Sequence, residues 1–197
     1  MKILTVRRDT ADFTRYYLTG KTQVAGHISA FSGTLILRQI RELRKLEPLT
    51  EAVSETAIKP FRSARQEGFV LADYELREQP AQPKSGVFRG VARTNWYVDR
   101  NGRLRYDELY SAGDGYCNNQ FVGTWMSYTT RQPLRCNWGD YRIPNSGNFD
   151  IGAGEFSPAD KYLAFGWQDL REATFGEGGK GAAARKREVR RAQTWWK

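Results

Sequence analysis

The sequence predicts an α+β protein: a mostly antiparallel β-sheet or small β-barrel, with a basic N-terminal arm of one or two helices and a basic C-terminal extension. Three observations predict it. Apolar and polar residues alternate with period two in Phe69–Leu76 and Val87–Val98. Apolar residues recur at three- and four-residue intervals between Ile36 and Leu46, and arginine and lysine crowd the last stretch of the chain. The chain divides accordingly into an arm (residues 1–62), a β-rich core (63–175) and a flexible basic tail (176–197). With 197 residues and 40% hydrophobic content, one domain can bury most of its unfolded surface without disulfide or metal staples.

In residues 1–33, Arg7, Arg8, Arg15 and Lys21 mix with Phe13, Tyr16, Tyr17 and Leu18, then give way to Gly20, Gly26 and Gly33. This reads as an arm, either wrapped on a partner through its basic and aromatic side chains or a loose terminus with one short helix. His27, the single histidine, stands between Gly26 and Ile28 without a nucleophile or carboxylate beside it, and reads as a loop residue rather than a base. From Thr34 to Lys59, the spacing of Ile36, Ile40, Leu43 and Leu46 predicts one apolar helical stripe. Arg38, Arg41 and Arg44 then lie on the other faces as a basic docking surface. Pro48 ends that helix, a second begins at Leu49, and Pro60 stops it.

Strands follow. Val70, Ala72, Tyr74 and Leu76 alternate with Asp73, Glu75 and Arg77, a half-buried pattern. A polar, proline-punctuated loop covers residues 79–86. Beyond it, Phe88, Gly90, Ala92, Trp96 and Val98 take one side of a strand, and Arg89, Arg93 and Asn95 the other. Asn101-Gly102 predicts a type I′ hairpin turn, because both central residues of that turn need positive φ. Phe121, Gly123 and Trp125 alternate with Val122, Thr124 and Met126. A hairpin turning near Arg131-Gln132 then sets Cys136 opposite about Ser127, far from Cys117, so the two cysteines are expected as reduced thiols. Gly123-Thr124-Trp125 is similar to the Gly-x-Trp signature of lipocalin-type barrels. That family carries it in the first strand, whereas here it lies past mid-chain, and three residues assign no family.

Aromatics, glycines and carboxylates concentrate between Phe121 and Trp167, which makes this stretch the place to look for chemistry. The glycine run 147–155 has neither Gly-Lys-Ser/Thr nor Gly-x-Gly-x-x-Gly, so it is not a phosphate loop. Counted from Asn148 as an EF-hand, the fifth position is Gly152 and the twelfth Ala159, which cannot ligate calcium through side chains. One histidine and two cysteines do not make a zinc shell. No cofactor or metal is expected. Trp125, Trp138, Asp140, Asp150 and Glu155 form the candidate set for a sugar or small ligand, with aromatic faces for stacking and carboxylates for acid and base roles. The competing account pairs Asp140 with Arg142 or Arg135, lets Asp150 cap a turn, and puts the aromatics in the core.

The formal charge is +9, and residues 176–197 contribute seven cations against two carboxylates, a net +5. After a glycine joint, Arg185, Lys186, Arg187, Arg190 and Arg191 surround a segment of good helix formers, which is expected to stay disordered until it meets an anionic surface. Trp195 and Trp196 are placed to stack on bases or anchor at an interface. The sequence therefore points to a non-catalytic accessory or assembly subunit whose partners are other protein subunits, held through both extensions. An RNA- or DNA-binding module using the tail, and a carbohydrate- or ligand-binding β-domain, are the rivals. No run approaches the roughly 20 apolar residues that span a bilayer, so membrane contact would be peripheral, through Trp195 and Trp196. Met1–Leu4 is followed at once by polar residues, and with reduced thiols this suggests a reducing intracellular compartment, organelles included.

Overall fold

The computed structural model describes residues 1–24, 26–44, 64–111, 113, 115–152 and 154–197. Its strands are β1 (Lys2–Arg8), β2 (Arg15–Val24), β3 (His27–Glu42), β4 (Ala64–Glu78), β5 (Gly86–Asp99), β6 (Leu104–Tyr106), β7 (Cys117–Ser127), β8 (Pro133–Arg135) and β9 (Trp138–Tyr141). They form one sheet in the order β1-β2-β3-β4-β5-β7-β8, with β6 paired to β5 and β9 to β7. Every pairing is antiparallel. After the sheet come single helical turns at Gly147–Phe149, Asp160–Tyr162 and Leu163–Trp167 and then two longer helices, α1 (Gln168–Phe175) and α2 (Gly178–Thr194). No described helix is long and apolar enough to cross a membrane.

The sheet curls into a half-barrel, and its concave face is the core. Leu18, Phe31, Tyr74, Leu76, Phe88, Ala92 and Phe121 are buried there, with Tyr16, Leu35, Trp125, Cys136 and Trp138 packed against them. Trp138 is the keystone: it stacks on Phe121 with centroids 4.7 Å apart and meets Tyr74 and Phe88 edge-on at 5.3 and 5.9 Å. Edge-to-face and offset pairs of this kind add to the burial of the rings themselves. Gly90 and Gly123 lie directly opposite one another on β5 and β7. A Cβ at Gly123 would stand 2.4 Å from the Tyr74 hydroxyl oxygen, so the glycine pair leaves the slot that the tyrosine tip occupies.

One buried carboxylate ties four strands together at the end of this core. Glu78 of β4 is 2% exposed. Its Oε2 accepts from the Gly86 amide and from Trp125 Nε1, both at 2.9 Å, and its Oε1 accepts from the Thr22 hydroxyl. Its carbonyl accepts from the Tyr128 hydroxyl at 3.0 Å. The curl also brings the ends of the strand order together. The Met1 ammonium acts electrostatically on the Cys136 thiol, although β1 opens the order and Cys136 follows β8 at its far end. Burial is the larger influence on both groups, lowering the amine and raising the thiol.

The helical N-terminal arm is overturned, and with it the α+β class as stated: strands make up 49% of the described residues and helices 21%, and the described N-terminal residues form β1, β2 and β3. The four-residue spacing of Ile36 and Ile40 fits one face of a regular strand as well as one of a helix. The register of β3 shifts between Leu37 and Gln39, so Ile36 faces outward opposite Asp73 while Ile40 stands opposite Val70 and is 65% exposed. A bulge adds one residue to one strand, and here it splits the expected stripe between the two faces. The expected helix from Leu49 lies outside the described residues, as does Leu46. His27 opens β3, paired with Val24.

The expected strands of residues 69–76 and 87–98 lie within β4 and β5, with the apolar positions facing inward as their alternation implies. The Asn101-Gly102 hairpin forms, but not as a type I′ turn. The Gly102 amide bonds to the Asp99 carbonyl at 3.0 Å, and of the two central residues Gly102 alone has positive φ, +75°. Asp99 Oδ1 accepts the Asn101 and Arg103 amides at 2.9 Å each, which stabilises a turn followed by a left-handed glycine. The β7–β8 hairpin is likewise shifted. Thr124 pairs with Arg135, and the Cys136 amide bonds to the Gly123 carbonyl at 3.0 Å, so Cys136 stands near Gly123 rather than Ser127. Both cysteines are free thiols.

Replacing Glu78 with Gln sets an amide NH₂ against donors that need an acceptor, and is expected to lower stability by about 2 kcal/mol in urea unfolding. Trp138→Ala should cost about 3 kcal/mol or more by emptying the centre of the aromatic cluster. An unchanged unfolding midpoint for Trp138→Ala would mean that this cluster is not the core.

Candidate interaction site

The residues proposed from sequence for a ligand do not converge. Trp125 and Trp138 point into the half-barrel, where they are core. Asp140 lies at the sheet's end, where Oδ2 accepts from the Tyr106 hydroxyl and from Asn119 Nδ2, each at 2.8 Å. It pairs with neither Arg142 nor Arg135. Burial is the first cause that raises the Tyr106 phenol above its ordinary value, and the Asp140 bond adds to it. Asp150 and Glu155 belong to the loop that leaves β9. There Asp150 Oδ1 accepts the Gly152 and Ser157 amides at 3.0 Å, the turn-capping role the competing account gave it. Arg142 lies 3.5 Å from the Asp150 carboxylate and donates to the Gly152 and Glu155 carbonyls, so this guanidinium holds the loop's shape.

Phe149 fastens the same loop to the segment that leads into α1. Its ring meets Tyr162 and Trp167 edge-on at 5.0 Å and Phe156 at 5.4 Å. Gly166, at φ +97°, turns the chain into α1. A shallow groove of about 420 Å³ lies between this loop and α1, lined by Ile151, Glu155, Ser157, Arg171 and Phe175.

The basic tail folds back on the chain's own helix. Gly181 and Ala184 are the buried residues of α2. A Cβ at Gly181 would come within 2.0 Å of the Gly176 carbonyl oxygen, so the close approach of the two helices requires glycine there. Arg187 grips Asp169 of α1 through two of its guanidinium nitrogens, at 3.0 and 2.6 Å, and this bond holds the Asp169 carboxyl below its usual value. Arg185 donates to the Ala173 carbonyl at 3.0 Å, and Arg191 to Glu188 at 2.8 Å. Three of the five cations expected to meet a partner are thus engaged inside the chain, while Lys186 and Arg190 project outward. Trp196 donates to the Ala192 carbonyl at 3.0 Å, and Lys2 of β1 places its ammonium 5.4 Å from the centre of the Trp196 ring.

Both ends of the chain therefore meet at the β1 edge, which sequence reasoning missed because nothing in either terminus signals the other. All seven residues of β1 are exposed, including Leu4 at 43% and Val6 at 60%. The β1–β2 turn is fixed by Asp9. Its carboxylate accepts from the Tyr17 hydroxyl at 2.7 Å and from the Ala11 and Asp12 amides at 2.8 and 3.2 Å, which holds its pKa at about 2. Of the other predicted partner residues, Arg38 pairs with Asp73 at 2.6 Å, and Arg41 and Arg44 are exposed at and just beyond the end of β3.

Two measurements check this geometry. In an NMR titration, Asp9 should titrate near pH 2; its stabilisation of the turn is complete above the ordinary carboxylate pKa of about 4 and is lost as pH falls through about 2. Gly181→Val should free α2 from α1, seen as faster hydrogen exchange in α2, while the sheet keeps its unfolding midpoint. Protection of α2 equal to wild type would contradict the packing. Compared with protein-family models, curated proteins and solved structures, the chain matches none.

Proposed function

We propose that this chain is a non-catalytic assembly subunit of a larger complex, held to its neighbours through the surface that its two termini form at the β1 edge. The observation that carries the reading is β1 itself: an edge strand with every residue exposed and apolar side chains at Ile3, Leu4 and Val6. Beyond its pairing with β2 it has no strand neighbour among the described residues. An edge strand presents a row of unpaired main-chain donors and acceptors, which a strand from another chain can satisfy. The Trp196 end of α2 lies beside this edge against Lys2, which gives the neighbour an aromatic contact next to the main-chain one. Of the carboxylates that suggested chemistry, Asp140 accepts from Tyr106 and Asn119 and Asp150 accepts the amides of its own loop, which favours a structural role over a catalytic one.

The test compares full-length tagged protein with Leu4→Lys/Val6→Lys at native abundance, scoring the stoichiometric co-purifying subunit. Both substitutions sit on exposed positions, so melting should move little. Recovery should fall about tenfold or more, equivalent to about 1.4 kcal/mol of binding. Equal recovery by the folded variant, or a wild-type chain that migrates free and monomeric, would overturn the reading.

A further inference from the structure

The outward face of the central sheet carries its own pattern. Six arginines project from it, Arg38, Arg41, Arg77, Arg89, Arg93 and Arg135, and on β4 the same face carries three carboxylates, Glu67, Asp73 and Glu75, of which Glu67 accepts from the Tyr110 hydroxyl. Their positions derive from the register. Arg89 of β5 has Glu75 of β4 on one side and Thr124 of β7 on the other, and Arg135 of β8 lies beyond Thr124. Arg93 stands between Leu71 and Gln120, and Arg41 is opposite Phe69.

The carboxylates are shared and leave charge over. Asp73 holds Arg38 at 2.6 Å, and Glu75 takes both Arg77 at 2.6 Å and Arg89 at 2.5 Å, which holds the Glu75 carboxyl below its usual value. Arg41, Arg93 and Arg135 have no carboxylate partner among the described residues. The Arg93 guanidinium lies over the Phe69 ring, 4.3 Å from its centre, and is held at its other side by Asn95 at 3.1 Å. It is thus pre-oriented by two contacts, one with a ring and one with an amide oxygen. At the edge of the same sheet, Arg7 lies over Tyr17 in the same manner, at 4.8 Å.

We infer that this outward face binds the backbone of a single-stranded nucleic acid. Strand rise and strand spacing put Arg89 and Arg93 about 13 Å apart along β5 and Arg135 about 10 Å to the side of Arg89, an array of fixed cations on a rigid support. The cations are arginines, whose planar forks fit phosphate oxygens in pairs and whose faces accept stacked bases. Sheets that read single strands work in this way, with side chains standing off the strands as a stacking platform. No described helix or ribbon projects from this face to enter a duplex groove. Its exposed aliphatic residues, Val91 and Val122, are opposite one another and too few to bury in a bilayer. The inference does not rest on the assembly reading, since β1 and this face use different residues.

The experiment measures fluorescence anisotropy of labelled 20-nucleotide oligo(U) and oligo(dT) with the full chain at salt concentrations from about 50 to about 300 mM. The wild type should bind at the lowest salt and weaken steeply as salt rises. Arg41→Gln/Arg93→Gln/Arg135→Gln should bind at least about tenfold more weakly and lower the log–log salt slope by about 2, as expected for three lost phosphate contacts on a single strand. Lys186→Gln/Arg190→Gln, on the outward side of α2, should match wild type. Wild-type melting in both variants shows that the fold is kept. No binding at the lowest salt, equal binding by the triple variant, or loss in the α2 variant instead would each overturn the inference. So would equal affinity for polyglutamate or for phosphatidylserine vesicles, which would identify an acidic protein or a membrane as the partner.

Discussion

A sheet with one apolar face has to bury that face against another layer, and in this chain the sheet supplies the layer by curling. The helices do not cover it, because α2 packs on α1 and α1 comes after the loop beyond β9. What fills the concave side is the pairing of β9 beside β7, which sets Trp138 next to Phe121 and against Tyr74 and Phe88. Curling this tightly demands close backbone approach, and the opposed glycines Gly90 and Gly123 allow it where the Tyr74 tip comes through. Glu78 then fixes how far the curl goes. Its carboxyl oxygens bind groups on β2, β5 and β7 at once, and a buried polar group is tolerated only when it is satisfied in this way.

Much of this sheet is legible in the sequence, because period-two alternation reports burial directly. The inward set of β4 and the Phe88, Gly90, Ala92 series of β5 stand where their spacing puts them. The failures share one cause, namely that a single inserted or displaced residue changes the face of everything after it. The bulge of β3 put Ile36 and Ile40 on opposite faces, although their spacing of four suggested one shared stripe. At the β5–β6 turn, the Asp99 carboxylate chose a longer loop than Asn-Gly alone predicts. The β7–β8 hairpin turns early because Ser127 collects the amides of Thr129 and Thr130, with its carbonyl taking that of Arg131. As for the candidate site, Asp150 as a turn cap was legible, whereas the sequence order hid that the aromatic and acidic residues it groups face different sides.

The tail shows how composition misleads about charge. Arg187 with Asp169 and Arg191 with Glu188 look like an adhesive, yet exposed ion pairs contribute about 0–1 kcal/mol each. The docking of α2 rests on Gly181 and Ala184, two small residues that a charge count ignores. Its arginines then have reduced reach toward a partner, while Arg93 of β5 and Arg135 of β8, without a carboxylate partner among the described residues, stand on the sheet. Two surfaces result from one folding decision: curling leaves β1 as an open edge and turns the arginines of the sheet outward.

The central claim is that the concave aromatic face forms the stable centre of the isolated chain while β1 stands as an open edge. Native-state hydrogen exchange of the purified monomer tests it most directly, since local opening free energy tracks buried apolar contacts. The slowest exchange is expected in β4, β5 and β7, faster exchange in α2, and the fastest strand exchange in β1. Protection of β1 equal to that of β5 in a monomer would contradict it, because that edge would already be covered.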